Sequence, residues 1–169
     1  MLLLNTLKNI YNSSKLKGRI FSDLLLANRA APYSEPFVNN NNLSSKTPYL
    51  IWVDTNNFKT NIFTGSKGKW SLIKSYSCSI GKPSTPTPKG TFYIGIKGHS
   101  FGYEHGYVCY YYSQFKGNYL FHSILYNLNG TIRDGRLGMM ISDGCIRLAK
   151  INAKWIYDNV PQGTTVFIN

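Results

Sequence analysis

The sequence contains few acidic residues, few cysteines and no long apolar segment. Only 7 Asp and Glu stand against 19 Lys and Arg, so the formal net charge is +12. No apolar run approaches the about 20 residues of a membrane-spanning helix, and we recognise no export signal at the start of the chain. With 3 cysteines a complete disulfide framework is impossible, so at least one thiol is free. These absences exclude a membrane-spanning protein and a disulfide scaffold.

No CxxC pair and no Cys/His cluster with metal-ligand spacing occurs in the sequence. His99, Glu104 and His105 lie close together in the chain. Their spacing is generic, and besides the two histidines no third strong ligand is near. We therefore predict neither a metal site nor a cofactor. The basic residues are dispersed, which favours a surface that attracts polyanions over a basic tail.

The chain divides by composition near residue 47. Residues 1–30 show patchy helical spacing, and the stretch "APYSEPFVNNNNLSSKTP" is rich in Asn, Ser and Pro. Such a composition buries little and predicts a linker. We expect residues 1–46 to form an N-terminal segment with this linker, and residues 47–169 to form one domain.

From residue 48 onward, short aromatic and β-branched runs predict strands. "YLIWVD" and "KTNIFTG" form a hairpin pattern, and "KWSLIKSYSCSIGK", "GYVCYYYSQF" and "NYLFHS" follow it. After Cys145 the period changes, since Leu148, Ile151, Trp155 and Ile156 share one helical face. "TTVFIN" then predicts a closing strand. The pattern indicates an all-β core with one late helix.

Cys145 has the surroundings of a nucleophile. Gly144 allows a sharp turn and a close approach by substrate. Because Cys145 directly precedes the predicted helix, we expect the helix N-terminus to stabilise its thiolate, which would make it a cysteine of low pKa. His122, at the end of a strand, is the candidate base, while Cys78 and Cys109 are predicted to be ordinary buried thiols.

Several stretches resemble the catalytic domain of the L,D-transpeptidases (the YkuD-like family). The histidine of "FHSILYN" and the "SDGCIR" of "LGMMISDGCIRL" are similar to that family's signature. "GKPSTPTPKGTFYI" resembles its Thr-Pro-x-Gly-x-Phe segment, and "AKWIYDNVPQGTTVFI" resembles its terminal helix and strand. The resemblance covers residues 48–169, and the segments occur in family order.

The resemblance implies a mainly β, sandwich-like fold with one C-terminal helix after the catalytic Cys145. It also implies a peptidoglycan enzyme that works outside the cytoplasm, at the cell wall. Cys145 would attack the diamino-acid carbonyl at position three of a donor stem peptide and expel the terminal D-Ala. The amine of an acceptor stem would resolve the thioester into a 3→3 cross-link. His122 would act as general base and acid.

The resemblance also assigns supporting roles. The backbone carbonyl of Ser123 would orient His122, and the N–H groups of Gly144 and Cys145 would stabilise the oxyanion. The candidate substrate contacts are Ser142, Arg147 and Tyr126. One position departs from the family: Asp143 stands where a second histidine is usual. We expect Asp143 to act only locally, paired with a cation such as Arg147.

Three alternatives stay open from the sequence. With water as acceptor the same site would be an L,D-carboxypeptidase. A sortase-like transpeptidase shares the order His, Cys, Arg, but there the arginine lies on a later strand. A non-catalytic basic β-module would bind wall polymer or nucleic acid through interleaved lysines and aromatics. For the enzyme we predict stem peptides and anionic wall polymers as partners, and no nucleic acid.

Overall fold

A computed structural model describes residues 33–169, so the helical spacing in residues 1–30 lies outside the described residues. Residues 33–40 belong to helix α1. The remaining elements, in chain order, are β1 (Tyr49–Asp54), β2 (Lys59–Ser66), β3 (Lys69–Gly81), β4 (Gly90–Tyr93), β5 (Lys97–Phe101), a 3-10 helix (Tyr103–His105), β6 (Cys109–Lys116), β7 (Tyr119–Ser123), β8 (Leu125–Tyr126), β9 (Ile132–Asp134), β10 (Met140–Ser142), β11 (Ile146–Leu148), α2 (Lys150–Asn159) and β12 (Thr165–Ile168).

Ten strands form one sheet in the order β4-β12-β1-β2-β3-β11-β7-β6-β5, with β10 paired to β3. The sheet curls until its two ends meet. Phe92 on β4 contacts Phe115 on β6 with ring centroids 5.8 Å apart, and the N–H of Gly95 donates to the carbonyl of Gln114 at 2.8 Å. The prediction of a mainly β fold with a helix after Cys145 is confirmed.

Two apolar clusters cover the two faces of the sheet. The larger cluster lies inside the curl, where Ala153 and Ile156 of α2 pack among strand residues. The smaller cluster lies on the outer face and is built around Trp52 and Trp70, with Val38 of α1 completely buried against them. Because α2 fills the curl, it fixes the positions of β6, β7 and β11 behind the site described below.

The linker prediction is wrong for residues 33–40. They form α1, whose Phe37 ring stacks on Trp52 at 4.1 Å. The polar residues that suggested a linker make specific contacts: the Asn39 amide donates to the Trp70 carbonyl at 3.0 Å, and its oxygen accepts the Trp70 N–H at 2.8 Å. The division of the chain at residue 46 stays a prediction.

Helix α2 also begins later than the sequence suggested. Leu148 belongs to β11, Ile151 is exposed, and the buried helical positions are Ala153 and Ile156. Within residues 33–169, no helix is long and apolar enough to cross a membrane.

Candidate active site

Cys145 and His122 lie on neighbouring strands. Cys145 immediately precedes β11, which runs parallel to β7 with Arg147 opposite His122. Cys145 is therefore two positions before the residue that pairs with His122. Both side chains line one cleft of about 180 Å³. The structure thus brings the two predicted catalytic residues together.

The His122 ring is held in one orientation. Its Nδ1 donates a hydrogen bond to the backbone carbonyl of Ser123 at 2.6 Å, the contact that the resemblance assigns to Ser123. Because a carbonyl oxygen only accepts, the proton lies on Nδ1, and Nε2 keeps its lone pair. Burial lowers the pKa of His122 to about 4, so the ring is neutral at pH 7. It is therefore ready to accept a proton.

Cys145 is a thiol at rest. Burial raises its pKa above the ordinary value, against a smaller lowering by a hydrogen bond with the Leu120 backbone, and Asp143 raises it further. The Sγ donates to the Asn118 carbonyl at 3.6 Å. The expected low pKa is thus opposite in direction. The main reason is burial, and β11 lies between Cys145 and the start of α2, so Cys145 does not directly precede that helix.

The turn before β11 is shaped from inside by Ser142. Its Oγ donates to the Cys145 carbonyl at 2.6 Å and accepts the Gly144 N–H at 3.2 Å. The Gly144 N–H, an expected oxyanion donor, is therefore occupied, whereas the Cys145 N–H donates to no acceptor within residues 33–169. Gly144 has φ 107°, and a Cβ there would lie 2.4 Å from Cε1 of Tyr119. Only glycine fits this position without strain.

The loop after β3 holds the turn from outside. We call residues 82–89 the proline-rich loop. The Lys82 N–H and the Thr85 hydroxyl both donate to the Ser142 carbonyl, at 2.9 and 3.2 Å. Thr87 Oγ1 donates to the Gly144 carbonyl at 2.8 Å and accepts the Gly81 N–H at 2.9 Å. The sequence of this loop resembles a family segment, but the sequence alone indicates no role for its threonines.

Asp143 forms an ion pair across the cleft rim. Its Oδ1 lies 2.6 Å from Lys82 Nζ, and the hydrogen bond from Lys82 is the main reason that the pKa of Asp143 is lowered. The pairing cation is thus Lys82 in the proline-rich loop, not Arg147 as the sequence suggested. This contact offsets the carboxylate charge beside the Cys145 thiol.

Arg147 is engaged beneath the cleft. Its guanidinium donates to Asp134 Oδ2 at 2.8 Å, and its side chain is 7% exposed. Asp134 also accepts from Arg136 at 2.9 Å, and these hydrogen bonds, that of Arg136 first, hold the pKa of Asp134 well below its usual range. Arg147 lines the cleft and ties β9 to it.

Of the three predicted substrate contacts, Ser142 and Arg147 line the cleft, whereas Tyr126 does not. Its ring packs on Tyr110 at 5.2 Å, and Lys150 Nζ lies 5.0 Å from its centre. The cleft is lined instead by residues that the sequence did not indicate, namely Phe101, Tyr107, Cys109, Leu125 and Ile141. These residues come from β5, β6, β8, β10 and the segment before β6, which are separated in the sequence, so no local pattern reveals that they share a cleft.

Cys78 and Cys109 are buried strand residues, as predicted. Burial raises the pKa of each thiol to about 12. Cys109 also lines the cleft, as a protonated thiol. Within residues 33–169 no group of three His, Cys, Asp or Glu side chains lies together in a way that would hold a metal ion.

The chain is similar in sequence to known L,D-transpeptidases. Residues 48–168 match the family model of the YkuD L,D-transpeptidase catalytic domain. A putative L,D-transpeptidase of Bacillus subtilis, YciB, is 34% identical over 128 residues, covering 70% of this chain and 66% of the relative.

Solved structures share the fold. A Clostridium acetobutylicum protein, described as a fused Zn-dependent amidase/peptidase/peptidoglycan-binding domain-containing protein, has a TM-score of 0.74 and 39% identity, covering 85% of this chain and 61% of that one. An L,D-transpeptidase from Stackebrandtia nassauensis has a TM-score of 0.59 and 18% identity, covering 77% and 59%. The chain thus spans less than two thirds of the length of these relatives. It belongs to the family of YkuD L,D-transpeptidase catalytic domains.

Proposed function

We propose that the protein is a cysteine acyltransferase of peptidoglycan stem peptides that forms 3→3 cross-links. The observation that carries this proposal is that the Cys145 thiol and a neutral, oriented His122 line one cleft. A binding module needs neither a base with a fixed tautomer nor a nucleophile on a turn that only glycine permits. Both are requirements of covalent catalysis.

Acylation starts from the neutral pair. As the sulfur of Cys145 attacks the carbonyl carbon of the donor's diamino acid, its proton passes to Nε2 of His122. Negative charge develops on the carbonyl oxygen, where the free N–H of Cys145 is the available donor. The C–N bond to D-Ala then breaks, and the proton on His122 passes to the departing amine. A thioester on Cys145 results.

The thiol does not need a low pKa for this sequence. Burial disfavours both a resting thiolate and a resting imidazolium. Proton transfer therefore accompanies attack, when the developing charge on sulfur is consumed by the new bond. The Nδ1 contact with the Ser123 carbonyl stabilises the imidazolium that forms for a short time.

The acceptor determines the product. An amine of a second stem gives a cross-link, whereas water gives the tripeptide of an L,D-carboxypeptidase. We place the enzyme outside the cytoplasm, at the cell wall, where its proposed substrate lies. Anionic wall polymers are a further proposed partner, because the net charge of +12 attracts polyanions.

Mass spectrometry of disaccharide-tetrapeptide incubated with the protein tests the proposal. We expect loss of D-Ala together with a cross-linked dimer, and a covalent adduct of the enzyme that the Cys145→Ala protein lacks. Loss of D-Ala without dimer would identify the carboxypeptidase. If several stem chemistries were left unchanged by folded protein and formed no adduct, the proposal would fail in favour of a binding module.

A further inference from the structure

The aromatic stretch "GYVCYYYSQF" contributes to a second surface, which lies across the sheet from the cleft. Helix α2 packs on the face of β7 that carries Phe121. Successive strand residues point to opposite faces, so His122 and the cleft lie on the other side. Beside α2, six half-buried side chains of two residue types lie together: Tyr110, Tyr111, Tyr126, Tyr157, Lys150 and Lys154. We call them the tyrosine–lysine surface, and none of them lines the cleft.

Tyr111 has a strained backbone at the point where two neighbouring rings turn to the same helix. Its φ is 56°, in the left-handed region that a tyrosine rarely adopts. In a regular strand Tyr110 and Tyr111 would point to opposite faces. Here both rings contact α2. Lys150 Nζ lies 3.5 Å from the centre of the Tyr110 ring, and Lys154 Nζ lies 5.2 Å from that of Tyr111. Strain of this kind persists where the surrounding structure imposes it and clusters at functional positions, which makes the surface a candidate binding site.

The two lysines form a short row of positive charge on α2. They are four residues apart in the chain, which places them about 6 Å apart along the helix axis. Lys154 is paired with Asp158 at 2.6 Å, and its side chain is 45% exposed. Lys150 makes no ion pair within residues 33–169, and the first turn of α2 contains no acid. The charge of Lys150 is thus not offset by a carboxylate of this part of the chain, so the surface suits a negatively charged partner.

The tyrosine rings are engaged with cations and with one another. Lys150 Nζ contacts both Tyr110 and Tyr126, whose ring centroids are 5.2 Å apart. The Tyr111 and Tyr157 rings are 5.7 Å apart. A nucleobase needs an open aromatic face on which to stack, whereas cations already cover faces of these rings. In the described part of the chain, none of the four phenol hydroxyls has a hydrogen-bond partner. They are therefore free to bond to a ligand, which favours a polyanion that is rich in oxygen and carries no bases.

We propose that the tyrosine–lysine surface binds a polyol phosphate polymer of the cell wall. This inference rests on the anionic partner and the wall location of the proposed function, but it does not depend on acyl transfer. Lys150 and Lys154 contact phosphate groups along the polymer, and the phenol hydroxyls donate to its phosphate and polyol oxygens. An extended polyanion reaches both ammonium groups, whereas a single phosphate reaches one. Bound in this way, the polymer leaves the cleft on the opposite face open to stem peptides.

Isothermal titration calorimetry of the full chain with a glycerol phosphate oligomer tests the proposal. The Lys150→Gln variant is compared with Lys67→Gln, which removes the same charge from the exposed turn between β2 and β3. We expect Lys150→Gln to weaken binding about threefold, the contribution of an exposed charge pair, and to reduce the salt dependence of binding. Lys67→Gln should bind like the unmodified protein, and Lys150→Arg, which keeps the charge, should retain the affinity. Single-stranded DNA with as many phosphates as the oligomer should bind no more tightly than the oligomer.

If the affinity of Lys150→Gln fell no further than that of Lys67→Gln, the proposal would be overturned, because the attraction would come from net charge and not from this surface. Failure of the unmodified protein to bind the oligomer would also overturn it, and tighter binding of DNA would do so in favour of a nucleic-acid partner. D-Ala release from soluble disaccharide-tetrapeptide by the unmodified protein is measured in parallel. A protein that bound the oligomer but released no D-Ala would refute the proposed transferase and leave the polymer site standing.

Discussion

Replacing Thr87 by valine tests whether the proline-rich loop holds Cys145, the proposed nucleophile, in place. Valine keeps the shape of threonine but lacks the hydroxyl, which accepts the Gly81 N–H and donates to the Gly144 carbonyl. Thr87 is 6% exposed, so water does not replace it freely. Each buried backbone group left without a partner costs about 1–3 kcal/mol. We expect the free energy of unfolding to fall by about 2–6 kcal/mol.

We expect Thr87→Val to slow acylation as well as to lower the free energy of unfolding. The Gly144–Cys145 peptide carries both the carbonyl that Thr87 holds and the N–H that is available for the oxyanion. We expect the acylation rate constant of the still-folded protein to fall by on the order of tenfold to a hundredfold.

Urea denaturation gives the unfolding free energy, and mass spectrometry of the thioester gives the acylation rate. Thr87→Ser retains the hydroxyl, so it should stay close to the unmodified protein in rate. If Thr87→Val remained within about 0.5 kcal/mol of the unmodified protein and acylated at its rate, the loop would not position the turn.

Three further predictions concern the cleft. Gly144→Ala should abolish acylation and lower the melting temperature, because the new Cβ would lie 2.4 Å from the Tyr119 ring at a φ of 107°; a variant that is acylated normally would contradict this geometry. The unfolding free energy should fall by about 3 kcal/mol as the pH drops from about 6.5 to about 4. In this pH range His122 binds a proton in the unfolded chain but stays neutral in the folded protein, so protonation favours unfolding. Chemical denaturation of His122→Gln should show a flatter pH profile, and equal profiles would refute the assignment. Alkylation of Cys145 by iodoacetamide, measured against the Cys145→Ala background, should rise with pH beyond the ordinary thiol value; a plateau below pH 7 would instead reveal a resting thiolate.

Much of the sheet could be predicted because its strands carry regular alternation or strong aromatic content. The hairpin of β1 and β2 is an example and is confirmed. The two aromatic runs of β6 and β7 are also strands, and the structure shows that they pair antiparallel. Strand β11 was not predicted, because it has three residues and all of them are buried, so it shows no alternation of polar and apolar residues. Its Leu148 then matched the helical spacing that follows, which moved the predicted helix start to the position directly after Cys145.

Helix α1 was not predicted, for a different reason. A row of asparagines and serines is typical of a linker, but Asn39 satisfies its amide on the backbone of Trp70, which lies 31 positions away. The composition of a segment does not show which distant residues will pack against it, so this contact could not be predicted from residues 31–48 alone. The same limit applies to Thr87 and its partner Gly144.

The candidate site was predictable to the extent that it is local in sequence. The order of His122, Gly144 and Cys145 suggested covalent chemistry, and the structure brings these residues into one region. The roles of Ser142 and Arg147 required coordinates, since their partners are the turn itself and Asp134. Cys145 is also shielded more than its sequence context suggests, which reverses the direction expected for its pKa.

The hydroxyl contacts from Thr85 and Thr87 to the turn before β11 each span 57 positions of the chain. The shape of the turn therefore depends on residues far away in the sequence as well as on the local contacts of Ser142. Closing a loop of this length costs conformational entropy, which contacts elsewhere in the sheet must offset. A substitution that loosens the proline-rich loop should therefore also loosen the turn, although the two lie far apart in the sequence.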